Sequence, residues 1–216
     1  MKVRRVLAAL LLTAAAAARP LPAQLWQLTG GDAGLARINF HATGLNGNEA
    51  LKGLAAGLQG RLLLHRFWLE AAYTQGRLSA DGVAAAPRDL VDGTLFAAIQ
   101  PRPWLTIKTG PRLRAYVAPA ADEHWAMWEV HARAGGPAIF GSVRGYAELW
   151  FALASSVNTD QGSGGAGGGE AGITFQVPLT RLRGRLVYAV DQAKMKSGTR
   201  SETLESVSLS VGLGVH

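Results

Sequence analysis

Charged side chains recur two and four residues apart along much of this chain, a spacing that puts them on one side of an extended strand. Lys108, Arg112 and Arg114 form a run of one sign on one face. The same parity reading collects Arg37, Asn39, His41, Arg61, Glu70, Asp92, Glu129, His131, Arg133, Arg144, Glu148, Arg185 and Asp191 on one face of their segments. A stripe of cations lining a narrow passage selects small anions. The same cations interleaved with Asp and Glu neutralise one another and fill a polar interior. Both uses stay open at this point.

Other residues have the types that hydrolysis requires. Asp122, Glu123, His124, Ser155, Ser156 and Asp160 cluster near segment ends. A hydrolase acting on lipid or peptide needs a serine, a base and an orienting acid within hydrogen-bond reach, and Ser155, His124 and Asp122 are the candidates. Ser and Asp also serve turns for purely local reasons. No metal site is expected. His124 and His131 fall on opposite parities, and the absence of cysteine excludes thiolate ligands, disulfides and a lipid-modified cysteine. The run Gly162–Gly167 matches G-x-G-x-x-G in letters, but no strand–helix unit surrounds it. It reads as a flexible surface loop, and no cofactor is expected.

The N-terminus has its own pattern. Lys2, Arg4 and Arg5 precede an unbroken apolar run, Val6–Ala18, followed by Arg19, Pro20 and small residues up to Ala23. The run is shorter than the roughly 20 residues of a spanning helix and has the form of a cleaved secretory signal. Residues 1–23 are assigned to it, with cleavage after Ala23 or, alternatively, Ala18. Removing the leader's four basic residues lowers the net charge from +7 to +3, so a nucleic-acid partner is not implied.

From 24 to 216 the chain reads as one all-β domain. Ten segments of alternating polarity are expected: Leu35–Thr43, Leu51–Leu64, Phe67–Leu78, Asp89–Gln100, Trp104–Val117, His124–Ala134, Val143–Ala154, Glu170–Val177, Arg185–Lys194 and Thr203–Val215. Most exceed the ~5–6 residues usual in soluble strands and suit tilted membrane strands of about 9–11. Short turns such as His65–Arg66 alternate with longer loops, the longest Ser155–Gly169. Phe67, Trp68, Trp104, Tyr116, Trp125 and Trp128 stand near segment ends, where membrane interfaces collect aromatics. Gly110–Pro111 calls for a bulge or local break, and Gly135–Ser142 for an unusually long turn.

On this pattern the chain resembles the small bacterial outer-membrane β-barrels. Its last segment, SVSLSVGLGV, is similar to the terminal strand by which such barrels are recognised for insertion, although that strand usually ends in an aromatic residue and this chain ends in His216. The resemblance implies a closed antiparallel transmembrane barrel of about ten strands, with eight or twelve open. It implies export to the outer membrane, and the lipid bilayer and the barrel-insertion machinery as partners. The expected role is structural, or a narrow anion-permeable pore. The alternatives are an outer-membrane hydrolase at the outer rim and a soluble periplasmic ligand-binding barrel with its apolar faces inward.

Overall fold

The computed structural model describes residues 27–44, 47–64, 67–80, 86–119, 122–160, 162–196, 198 and 200–214. The leader, the turn at 65–66 and the terminal His216 lie outside the described residues. Ten antiparallel strands form one closed barrel: β1 Gln27–Gly44, β2 Gly47–Leu64, β3 Phe67–Ala80, β4 Arg88–Arg102, β5 Leu105–Val117, β6 Asp122–Phe140, β7 Val143–Val157, β8 Ser163–Gln176, β9 Leu182–Met195 and β10 Arg200–Gly214. Each strand pairs with its sequence neighbours, and β1 closes on β10 from Gly30–Gly214 to Gly44–Arg200. Closure leaves no unpaired edge, which is what lets a sheet expose a wholly apolar outer face.

Most strands are longer than expected, and two of the extensions run through stretches read as a loop and a long turn. The glycine run 162–169 is mostly β8, paired through Gly168–Asp191 to β9 and Trp150–Gly168 to β7. Glycine is favoured there by packing. A Cβ on Gly168 would lie 2.6 Å from Trp150 Nε1, and one on Gly172 would lie 2.8 Å from Tyr146 Cε1. Large side chains of β7 thus occupy the space that β8 leaves free. Gly135–Ser142 is likewise not a long turn. β6 continues to Phe140, and the chain reverses at Gly141–Ser142, with Gly141 at φ +51°. At Gly110–Pro111 the ladder to β4 skips those residues without changing register, while pairing to β6 continues.

Loop lengths alternate only in part. At the end that carries the termini, the chain turns between Leu64 and Phe67, Arg102 and Leu105, and Phe140 and Val143, but the β8–β9 link spans 177–181. At the other end the longest link is 81–87, whereas β1 and β2 join between Gly44 and Gly47.

The outer face divides into two levels. Over the half nearer the termini it is a belt of exposed apolar side chains, including Leu35, Leu58, Leu95, Leu113, Leu149 and Leu209. Toward the loop end the outward residues become Arg37 and His41 on β1, Arg77 on β3, His124 on β6 and Lys194 on β9, all exposed. Geometry requires such a division. A strand of 15 residues such as β4 extends about 50 Å and, at a tilt of about 40°, rises roughly 38 Å, against an apolar band about 25 Å tall.

The interior inverts at the same level. Beneath the polar collar, Ile38, Phe40, Leu51, Leu78, Leu90, Tyr116, Trp125, Met127, Met195 and Leu204 form a buried apolar cluster across the lumen. Phe40 and Tyr116 meet at 5.0 Å between ring centroids. Tyr116 and Trp125 are therefore interior plug residues, not girdle residues as their strand-end positions suggested. Phe67, Trp104 and Trp128 do point outward.

Candidate functional site

Inside the apolar belt the lumen is crossed by one continuous network of ion pairs. Alternation along the strands puts its members on the inner wall: Glu70 on β3, Asp92 on β4, Lys108, Arg112 and Arg114 on β5, Glu129 and His131 on β6, Glu148 on β7 and Asp191 on β9.

Two aspartates and two arginines form its centre. Arg112 grips Asp92 through Nε and Nη2, with contacts of 2.8–3.0 Å, and reaches Asp191 Oδ2 at 2.8 Å. Arg114 donates to Asp92 Oδ2 at 2.7 Å and also pairs with Asp191. Trp150 Nε1 donates to the remaining oxygen, Asp191 Oδ1, at 3.0 Å. The fork geometry of arginine makes this possible, because one guanidinium serves two carboxylates.

The second limb runs toward the termini. Arg112 Nη1 lies 3.6 Å from Glu129 Oε1, and His131 bridges two glutamates, with Nε2 2.9 Å from Glu129 Oε2 and Nδ1 2.7 Å from Glu148 Oε1. A ring with both nitrogens protonated satisfies both carboxylates at once. His131 is also held against Phe96 at 4.6 Å and stacked on Trp150 at 5.9 Å. Lys108 Nζ then joins Glu148 at 2.8 Å to Glu70 at 3.4 Å, and Arg61 Nε closes the chain on Glu70 Oε2 at 2.8 Å. Charges so deeply placed persist only when paired and hydrogen-bonded, and here nearly every one has two partners.

Below the network, toward the termini, the lumen widens into a vestibule of about 660 Å³. Arg183 pairs bidentately with Asp32 at 2.8 Å in both contacts. Arg185 meets Glu170 at 2.6 Å and the Tyr146 hydroxyl at 2.6 Å. Arg133 lies over the Tyr146 ring, 3.5 Å from its centroid, and Arg144 lines the vestibule mouth.

The parity reading places Arg61, Glu70, Asp92, Lys108, Arg112, Arg114, Glu129, His131, Arg133, Arg144, Glu148, Arg185 and Asp191 on the inner wall, as the structure does. Arg37 is a correction, and Asn39 and His41 share its outward parity. On β1 the even residues Ile38, Phe40 and Ala42 are buried, so Arg37 faces outward, beside the exposed Leu54 and Val207 of the neighbouring strands. Lys108, Arg112 and Arg114 share the inner face of β5, and all three are paired with carboxylates.

The hydrolase candidates are not brought together. His124 is exposed on the outer side of β6. Ser155 belongs to β7, where a bulge opposite Trp128–Glu129 turns it inward, and its Oγ is 2.5 Å from Ser163 Oγ. Asp122 accepts the Ala118 N–H at 3.3 Å. Among the described residues no group of three or more His, Asp and Glu side chains is arranged to hold a metal.

Sequence reasoning missed Asp32, Glu170, Arg183, Trp150 and Tyr146. The signal was present, since Arg183 shares the parity of Arg185, and Asp32 that of Ile38 and Phe40. Asp32 and Arg183 fell outside the segments assigned as strands.

No protein-family model matches the chain, and neither does any curated protein. Solved structures do match in fold. The translocator domain of autotransporter NalP from Neisseria meningitidis is similar with a TM-score of 0.52 at 10% identity, over 88% of this chain and 89% of that one. An outer membrane channel from Pseudomonas putida F1 is similar with a TM-score of 0.53 at 8% identity, over 91% of this chain and 100% of that one.

Proposed function

We propose, from the premise that this chain has the fold of the small outer-membrane β-barrels, that it is an exported outer-membrane protein whose lumen is closed at rest. Residues 1–23 act as a cleaved signal, insertion machinery assembles the rest, and the termini face the periplasm. The outward belt of Leu58, Leu95, Leu149 and their neighbours supports a lipid surrounding and disfavours a soluble periplasmic barrel, which would turn those residues inward.

The observation that carries the closed-lumen reading is the plug. Phe40, Leu51, Leu78, Leu90 and Tyr116 are at most 2% exposed and pack across the loop end of the lumen. Behind them stands the ion-pair network, in which the acids match the cations. An ion entering from outside therefore meets the ion pairs Arg88–Glu49 and Arg200 with Glu123 and Glu202, the apolar layer beside them, and then groups that already have partners. This supports a structural barrel over a constitutively open anion pore.

Single-channel recording of the full chain, folded and reconstituted in a planar bilayer, tests it. A silent membrane containing protein shown to be inserted by its heat-dependent gel mobility is the expected result. Discrete anion-selective steps would overturn the closed lumen and restore the pore reading.

A further inference from the structure

We infer that the vestibule at the termini end is a binding site for a small divalent oxyanion, held by Arg133 and Arg144. The inference goes beyond the closed-barrel reading and stands whether or not the plug opens, because the vestibule is entered from the termini side.

The argument starts from the partners of each charge. Six cationic side chains line the vestibule, Arg61, Lys108, Arg133, Arg144, Arg183 and Arg185, against two carboxylates, Asp32 and Glu70. Four of the six are committed: Arg61 and Lys108 to Glu70, Arg183 to Asp32, and Arg185 to Glu170. Arg133 and Arg144 have no carboxylate within ion-pair distance among the described residues. Arg133 is nevertheless held in place, its guanidinium lying on Tyr146 while Arg185 approaches the same ring at 5.3 Å. Two guanidiniums crowded on one ring, with Glu170 paired to Arg185 alone, leave positive potential directed into the cavity.

Thr106 adds a hydroxyl to the lining. A cavity offering uncommitted guanidiniums is complementary to a small anion rich in acceptor oxygens. Two free cations match two negative charges, and both phosphate and dicarboxylate have that chemistry.

Isothermal titration calorimetry on the full chain, folded in maltoside micelles, tests the site with inorganic phosphate and succinate as separate probes. Saturable binding of either probe, weakening as salt rises, is expected, and which one binds identifies the source of the oxyanion. The double variant Arg133→Gln/Arg144→Gln should weaken that binding about tenfold or more. The pair Arg133→Lys/Arg144→Lys, which keeps the charge and loses the fork, should fall between. Arg37→Gln on the outer wall should leave the affinity unchanged. Heat-dependent gel mobility checks that each variant is folded. No saturable heat with either probe, or equal affinity in the folded Gln variant, overturns the site.

Discussion

At the level of Leu35, Leu58 and Leu149 the wall turns leucine outward and ion pairs inward; at the level of His41, Arg77 and His124 it turns polar and charged side chains outward and Phe40, Leu51 and Leu78 inward. The strands pass through both levels without interruption, so the backbone does not cause the switch. On the proposed outer-membrane placement, the environment outside does. Where the surroundings are hydrocarbon, the only place for charge is the lumen, and it must arrive there paired. Where the surroundings are water, apolar residues return to the lumen, which there holds an apolar cluster beside the buried Glu123 and Glu202. One cylinder thus has a membrane-protein cross-section over part of its height and a soluble-barrel cross-section over the rest.

Substitutions that treat the two levels differently test this contrast. The largest effect belongs to the plug. Phe40→Ala removes a fully buried ring and should cost about 3–5 kcal/mol, read from denaturation midpoints of the barrel in lipid vesicles. It should also produce channel openings in a bilayer if the plug is the main seal. Next comes the belt. Leu58→Arg, at an exposed outward position, should cost about 2–4 kcal/mol in lipid. A loss below 1 kcal/mol would place Leu58 outside the hydrocarbon. Gly168→Ala should cost about 1–3 kcal/mol through overpacking against Trp150 and alter the near-UV circular dichroism. The matched control Gly60→Ala, with open space around the added methyl, should change stability by less than about 0.5 kcal/mol. The smallest effect is expected for Arg37→Leu, within about 0.5 kcal/mol. A large stabilisation there in lipid would mean that the collar lies in the membrane and that the two-level description is wrong.

Strand number, antiparallel closure and the inner face of β2–β7 and β9 are legible in the sequence, because within the belt the period-two alternation of Leu with Arg or Glu has a single explanation. The same signal misleads on β1, where Ile38 and Phe40 alternate with Arg37 and Asn39 in the same rhythm. Alternation gives the two faces but not which one is inside. That choice depends on height along the axis, which no local window contains. Glycine misleads differently. A run of Gly and Ser normally means loop, and here Gly168 is hemmed in by Trp150 and the Val190 carbonyl of the two neighbouring strands, a pairing that appears only once register is known. The ion network was legible as composition but not as connectivity. Nothing in the spacing of Lys108, Arg112 and Arg114 says that all three are taken by carboxylates while Arg133 and Arg144 are not.

The nearly bare backbone of β8 has a mechanical consequence. A hollow cylinder resists flattening through the thickness of its wall, and from Gly164 to Gly172 that wall consists of little more than the peptide ribbon and its hydrogen bonds. The rings of Trp150 and Tyr146 brace it from one flank only. In the proposed membrane setting, lateral pressure on the hull gathers strain along this stave, which works as a longitudinal crease.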